Sequence, residues 1–130
     1  KKFKKIGDQA KFYGFKDHDF VQKKMKDASV IIIPSLWNEP FGLVAAEAMS
    51  NGIAIIASKV GGIPEIIEKN GILIQNINHT KLENALVDLM NNPEKTILYQ
   101  KKAWDNFKMS SEASSQKLDK HRKFILRNHF

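Results

Sequence analysis

Three short apolar runs without polar alternation set the main constraint on how this chain folds. They occupy residues 30–33, 53–57 and 72–74, and isoleucine dominates all three. A strand without polar alternation is typical of a parallel sheet that is covered on both faces. Segments of helical length lie between the runs, and this order is the signature of βαβ units. The sequence therefore predicts an α/β fold built on a Rossmann-like, doubly wound parallel sheet.

Length and composition narrow the class of protein further. The chain has 130 residues, enough for one domain, and its 42% apolar and 27% charged residues are typical of a globular protein. No apolar run approaches the roughly 18 residues that mark a membrane-spanning helix. Cysteine is absent, which excludes disulfides, thiolate nucleophiles and cysteine metal sites. This cysteine usage suits a cytoplasmic location.

Helical spacing of apolar residues marks most of the remaining chain. The predicted helices cover residues 18–29, 42–50 and 64–67 and the stretches that begin at Asn78 and Pro93. Asp17 and Asn78 are residue types that cap helix N-termini, and Pro93 suits a first helical position. Residues 10–14 are interpreted as one further strand that ends in a glycine turn. The predicted sheet therefore has about four strands.

The most informative stretch is PSLWNEPFGLVAAEAM at residues 34–49. It follows a buried strand, and open α/β sheets bind ligands in the crevice beyond the carboxyl ends of their strands. Gly42 and Leu43 open the next helix, so their N–H groups lack partners within that helix and lie at its positive end. Such a helix start is suited to binding phosphate, and a glycine there permits close approach.

Glu47 is an unexpected residue inside this small, apolar helix. Its carboxylate needs a partner or access to a polar cleft. It lies four positions after Leu43, one helical turn further along the same face. A phosphate at the Leu43 amide would therefore place a neighbouring ribose near Glu47, whose carboxylate can accept hydrogen bonds from both ribose hydroxyls. The alternative is a helix-surface glutamate paired with a lysine.

Glu39 precedes the same helix, and Pro40 favours an extended conformation for it that aims it into the crevice. The alternatives are a solvated loop acid and a charge that complements the helix dipole. A hydrolase acid/base pair of Glu39 and Glu47 fits less well. The helix places Glu47 roughly 7.5 Å along the axis from Gly42, whereas retaining hydrolase carboxyls lie about 5–5.5 Å apart.

A second glycine-containing turn, VGGIPE at residues 60–65, follows the next strand. Gly61 and Gly62 would let the backbone approach a ligand, and Glu65 opens the following helix. Most glycine pairs are only turns. The position of this pair beside the first motif strengthens its interpretation as part of the same site.

The run from Pro34 to Met49, with its two glutamates eight apart, followed by Gly52, the glycine pair and Glu65, closely resembles the donor domain of retaining glycosyltransferases of family 4. These enzymes have the GT-B fold. The resemblance extends from about Ala10 to the end of the chain. It implies a transferase that moves a sugar from a nucleotide-diphosphate sugar to a glycan or lipid-linked acceptor, with retention at the anomeric carbon and without a metal or other cofactor.

The resemblance also implies a role for each matching residue. Glu39, the expected catalytic residue, would contact hydroxyl groups of the donor sugar. Pro40, Phe41, Gly42 and Leu43 would form the loop that meets sugar and diphosphate, largely through backbone amides. Glu47 would bind the ribose, and Gly14 would lie near the nucleobase. Preorganised N–H groups and cations would then stabilise the departing diphosphate.

The chain also departs from the family pattern. Donor domains of the family begin with two further strands that carry a glycine-rich turn and an Arg/Lys pair, and nothing before Ala10 matches them. The resemblance thus implies that the sheet is incomplete and that 1–130 is one partial domain, with 1–8 as the tail of a preceding helix and 111–130 as a C-terminal helix. We expect it to be inactive without an N-terminal half or partner chain.

Alternative functions remain open at this point. The first is a non-catalytic nucleotide-sugar-binding or scaffold module that partners another transferase chain. An epimerase or a phosphorylase on the same fold is a further alternative. A phosphorylase would need a pyridoxal phosphate lysine and an epimerase would need acidic and histidine groups, and we find neither pattern in the sequence.

The net charge of +7 is concentrated near the two ends of the chain. Residues 1–26 carry nine lysines and three acids, and residues 101–130 carry eight bases and three acids. Arginine is the favoured residue for forked phosphate and base contacts, but only Arg122 and Arg127 are present. We therefore expect no nucleic-acid partner. The basic segments instead suit peripheral contact with the anionic inner face of a membrane.

Overall fold

The computed structural model describes residues 10–107, which form a three-stranded sheet and five helices. In chain order the elements are α1 (His18–Lys26), β1 (Val30–Ile33), α2 (Leu43–Ser50), β2 (Ala54–Ser58), α3 (Ile63–Ile67), β3 (Ile72–Ile74), α4 (His79–Asn91) and α5 (Pro93–Asn106). The segments 1–8 and 111–130, for which helices are predicted, lie outside the described residues.

The three strands run parallel in the order β1-β2-β3. Ile32 lies opposite Ile56, and Ile56 lies opposite Ile72. Every residue of β2 is buried, as expected for a central strand of an α/β sheet. The predicted α/β class and the parallel sheet are confirmed.

Helices cover both faces of the sheet because alternate strand residues point to opposite sides. On one face, Ile55 and Ala57 pack with Ala45, Ala48 and Met49 of α2 in a core that also includes residues of α1, α3 and α5. On the other face, Ile56 and Ile74 pack with Leu89 of α4. The lack of polar alternation in the strands follows from this two-sided burial.

Residues 10–14 contain no strand, so the described sheet has three strands rather than about four. Phe12 is 81% exposed, and the Tyr13 ring packs edge-on against Phe20 of α1 at a centroid distance of 5.2 Å. Aromatic residues favour strands only where a neighbouring strand offers a pleated surface on which they can pack. Here the aromatic side chain packs on a helix instead.

The helix ends follow the predicted capping residues. The Asp17 carboxylate accepts the Phe20 N–H at 2.8 Å, and the Asn78 side chain accepts the Lys81 N–H at 2.9 Å. On α5, Ala103 is fully buried while Trp104 is 65% exposed. The small Ala103 side chain allows α5 to lie close against the core that contains α2 and β2.

One ion pair joins the C-terminal helices. Lys95 of α5 contacts the Asp88 carboxylate of α4, and a hydrogen bond to that carboxylate raises the pKa of Lys95 above its usual value. The same carboxylate accepts a hydrogen bond from the Asn92 side chain at 2.9 Å.

Within residues 10–107, no helix combines the length and apolarity required to cross a bilayer.

Candidate functional site

The start of α2 presents unpaired backbone donors at the carboxyl-terminal end of the sheet. Gly42 caps the helix in the left-handed conformation (φ +61°, ψ +43°) and makes no side-chain capping hydrogen bond. Among the described residues, the N–H groups of Gly42, Leu43 and Val44 have no acceptor. Gly42 itself is buried, whereas the side chains of Leu43 and Val44 are 66% and 42% exposed. The predicted helix start with its unpaired N–H groups is thus present, and anion binding there stays a prediction.

Glu47 lies one turn further along α2, and its carboxylate contacts two side chains of α1. Its Oε2 accepts a hydrogen bond from Gln22 Nε2 at 3.0 Å, and its Oε1 lies 3.8 Å from His18 Nδ1. The Glu47 side chain is 34% exposed, so the carboxylate is partly sheltered and still open to a ligand. Within residues 10–107 its side-chain partners are Gln22 and His18, and no lysine of that part of the chain pairs with it.

Glu39 is fixed at both its side chain and its backbone. The Ser35 hydroxyl donates to its Oε1, and its carbonyl oxygen accepts the Gly62 N–H at 2.8 Å. Its side chain is half-buried, unlike that of a freely solvated loop acid, and the adjoining Pro40 is exposed. The loop before α2 is therefore held in place by the glycine turn after β2.

The two glycines of that turn are required by the loop that they contact. A Cβ on Gly61 would lie 2.2 Å from the Glu39 carbonyl oxygen, and a Cβ on Gly62 would lie 2.5 Å from the Pro40 carbonyl oxygen. Gly61 also has a positive φ of +53°. The two glycines were expected to let the backbone approach a ligand. On the Cβ side of both glycines, that space is filled instead by the backbone of residues 39–41.

Gly14 lies apart from this loop. It has a φ of +65°, and a Cβ there would meet nothing within 4 Å. It lines an apolar cavity of about 350 Å³ together with Tyr13, Phe20, Met25 and Ile31. The structure thus brings Glu39, Pro40, Phe41, Gly42, Leu43 and Glu47 onto one loop and helix, and it places Gly14 near the start of α1.

Sequence reasoning missed Gln22 and His18 as members of the site. Their four-residue spacing puts both on one face of α1, which is the only signal the sequence offers for a shared partner. Their proximity to Glu47 depends on how α1 packs beside α2 and is not encoded in any local motif. No group of three potential metal ligands occurs within residues 10–107.

The arrangement suits a ligand with two adjoining polar parts. Free N–H groups at the positive end of α2 attract an anion such as a phosphate. A carboxylate one turn further along is an acceptor for hydroxyl groups beside that phosphate. The exposed apolar side chains of Trp37 and Phe41 flank the same loop. A nucleoside diphosphate combines a diphosphate and a vicinal diol in this order.

Comparison with known proteins is consistent with this chemistry. The family model described as "Glycosyl transferases group 1" matches residues 1–105. The chain is 40% identical over 107 residues to a Methanocaldococcus jannaschii protein named an uncharacterized glycosyltransferase, with 73% of this chain and 27% of that protein covered.

Two solved structures are similar over most of this chain. Sucrose-phosphate synthase from Thermosynechococcus elongatus superposes with a TM-score of 0.70 at 29% identity, over 96% of this chain and 33% of that one. Anabaena HepE in complex with UDP superposes with a TM-score of 0.69 at 25% identity, over 78% of this chain and 29% of that one. The present chain therefore spans no more than a third of the length of the archaeal relative or of either solved chain.

Proposed function

Because this chain belongs to the group 1 glycosyl transferases and has the Rossmann-like fold of a GT-B C-terminal domain, we propose that residues 39–47 bind the donor of a retaining sugar transferase. One observation carries the proposal: unpaired N–H groups open α2, and the half-buried Glu47 lies one turn after them. The donor is a nucleotide-diphosphate sugar, and the similar HepE structure holds UDP.

In this proposal each site residue meets one part of the donor. The N–H groups of Gly42 and Leu43 bind the diphosphate, with Phe41 alongside, and Glu47 accepts hydrogen bonds from the ribose hydroxyls. Glu39, held by Ser35 and followed by Pro40, meets hydroxyl groups of the transferred sugar. Gly14 lies near the nucleobase. The resemblance to family 4, carried by the spacing of the two glutamates, supports these roles.

The chemical step breaks the bond between the anomeric carbon and the diphosphate oxygen. The electron pair leaves with the diphosphate, and the N–H groups at the start of α2 stabilise the negative charge that develops there. An acceptor hydroxyl forms the new bond on the same face of the sugar and gives its proton to an oxygen of the departing diphosphate. The acceptor is a glycan or a lipid-linked sugar, and residues outside this chain complete its site. Alone, the chain binds donor without transferring sugar.

A nuclear magnetic resonance titration with UDP tests the proposed site. We expect the largest amide shifts at Gly42, Leu43 and Val44, because their N–H groups would acquire phosphate acceptors. Pyrophosphate should shift these amides and leave those around Glu47 less changed. Amides of α4, on the far face of the sheet, serve as the internal control. Shifts spread evenly over the chain, or confined to α4 and α5, would contradict the proposal.

The alternative function is a nucleotide-sugar-binding scaffold that partners another transferase chain. Both functions expect UDP-glucose to bind. Only the transferase expects UDP release and transfer when the chain is joined to an acceptor-binding half of a group 1 enzyme. A stable complex without UDP release would favour the scaffold.

We also propose peripheral contact of the basic segments 1–26 and 101–130 with an anionic membrane surface. Their lysines and arginines would each contribute about 1 kcal/mol near such a surface. Association with phosphatidylglycerol vesicles should fall several-fold when the salt concentration of the assay is raised from about 50 to about 500 mM, because salt screens these charges. Phosphatidylcholine vesicles are the matched control. Salt-independent association would contradict an electrostatic contact.

A further inference from the structure

A chain of side-chain hydrogen bonds connects α1 to the Glu47 carboxylate. Gln22 Nε2 donates to Glu47 Oε2 at 3.0 Å, and Asn51 Nδ2 donates to Gln22 Oε1 at 3.2 Å. Asn51 lies just after α2, where its Nδ2 also donates to the Glu47 carbonyl oxygen at 2.8 Å. Both ends of the Gln22 amide are therefore engaged by groups at the carboxyl-terminal part of α2.

The partners fix the orientation of the Gln22 amide. Rotating it by half a turn would set its oxygen against the Glu47 carboxylate and its NH₂ group against the Asn51 NH₂ group. Both contacts would then join like groups, acceptor to acceptor and donor to donor. The amide can satisfy Glu47 and Asn51 together in only one orientation. In that orientation Gln22 Nε2 is a donor to Glu47, and it also lies 4.0 Å from the Met25 sulfur.

We propose that Gln22 is a positioning residue that sets the Glu47 carboxylate for the ribose diol. The proposal rests on the donor-binding function given above and adds a residue to it. A carboxylate offers about four lone-pair positions. The single hydrogen bond from Gln22 occupies one of them and leaves acceptor positions for two hydroxyl groups. Gln22 is also neutral, so it orients the carboxylate without cancelling the charge that strengthens those hydrogen bonds.

His18 is the partner that would compete in the absence of Gln22. Its Nδ1 lies 3.8 Å from Glu47 Oε1, beyond ordinary hydrogen-bond length but within reach after a small rotation of the carboxylate. Gln22 holds the other oxygen and thereby opposes that rotation. Loss of Gln22 should therefore weaken recognition of the ribose hydroxyls while leaving the diphosphate contacts at Gly42 and Leu43 intact.

The test compares UDP with 2′-deoxy-UDP as calorimetric probes. For the intact chain we expect UDP to bind more tightly, since it offers both ribose hydroxyls. The Gln22→Met variant keeps the side-chain length and removes the donor. It should bind UDP about five-fold more weakly, on the scale of one lost hydrogen bond, and the preference over 2′-deoxy-UDP should fall toward unity. Adding Gln22→Met to Glu47→Ala should weaken UDP binding no further.

Gln100→Met is the matched control, because Gln100 Nε2 donates to the Ser29 carbonyl oxygen at 3.0 Å away from the site. Its preference for UDP should equal that of the intact chain. Gln22→Leu is a second variant that lacks the amide donor. Thermal unfolding of every variant shows whether weaker binding comes from loss of the fold or from a misplaced Glu47 carboxylate. An unchanged UDP preference in folded Gln22→Met and Gln22→Leu would overturn the role of Gln22. An intact chain that fails to prefer UDP would overturn the donor site itself.

Discussion

Replacing Glu47 with alanine should weaken the binding of UDP by about 10- to 100-fold. Hydrogen bonds to a charged group contribute about 1.5–3 kcal/mol, and the partial burial of this carboxylate limits screening by water. The fold should survive, because the Glu47 side chain contacts Gln22 and His18 at the edge of α1 rather than the apolar core. Isothermal calorimetry with UDP measures the loss.

The Glu83→Ala variant is the control for this experiment. Glu83 is an exposed glutamate of α4 and lies outside the proposed site, so its removal changes the net charge by the same amount. A Glu47→Gln variant should fall between alanine and the native residue, because the amide oxygen accepts hydrogen bonds without a full charge. Equal UDP affinity for Glu47→Ala and Glu83→Ala would contradict the ribose role.

Replacing Gly61 with alanine should reduce the free energy of unfolding by about 3–5 kcal/mol, which is a large effect for a single substitution. The new Cβ would lie 2.2 Å from the Glu39 carbonyl oxygen, and that neighbour is backbone that cannot rotate away. The positive φ of Gly61 adds strain of about 1–2 kcal/mol for any residue with a side chain. Displacing the loop would also strain the hydrogen bond between Gly62 and Glu39.

Gly14→Ala separates the clash from the backbone strain. Gly14 has a similar φ of +65°, yet a Cβ there would meet nothing within 4 Å. We expect this variant to lose only about 1–2 kcal/mol, the strain contribution alone. Urea unfolding followed by circular dichroism measures both variants. If Gly61→Ala were no less stable than Gly14→Ala, the packing between the two loops would not be a determinant of stability.

The two loops together explain how the site is built. The first loop, residues 34–42, carries Glu39 and leads into α2, and the second, residues 59–62, contains the two glycines that pack against it. Gly62 donates its N–H to Glu39, so the second loop supports the first at the residue proposed to meet the donor sugar. A change at Gly61 should therefore disturb donor binding as well as stability.

Several features of the fold and the site could be predicted from local sequence. The helix caps at Asp17 and Asn78 formed as predicted, because a capping side chain meets an N–H only three residues away. The unpaired N–H groups at the start of α2 and the position of Glu47 one turn later are likewise local, since helix geometry fixes them. The strand predicted over residues 10–14 did not form, because strand formation depends on a neighbour that no local pattern specifies.

The sequence by itself determined the two-sided parallel strands, the helix that opens at Leu43 and the carboxylate one turn along it. Each of these depends on residues close together in the chain, where periodicity and capping chemistry act directly. Only the tertiary structure decided that Gln22 and His18 meet Glu47, and that Gly61 and Gly62 pack on the backbone of residues 39–41. Such contacts depend on how α1 and the loops pack against the sheet. Segments that pack together can be far apart in the chain, so no fixed residue spacing predicts these contacts.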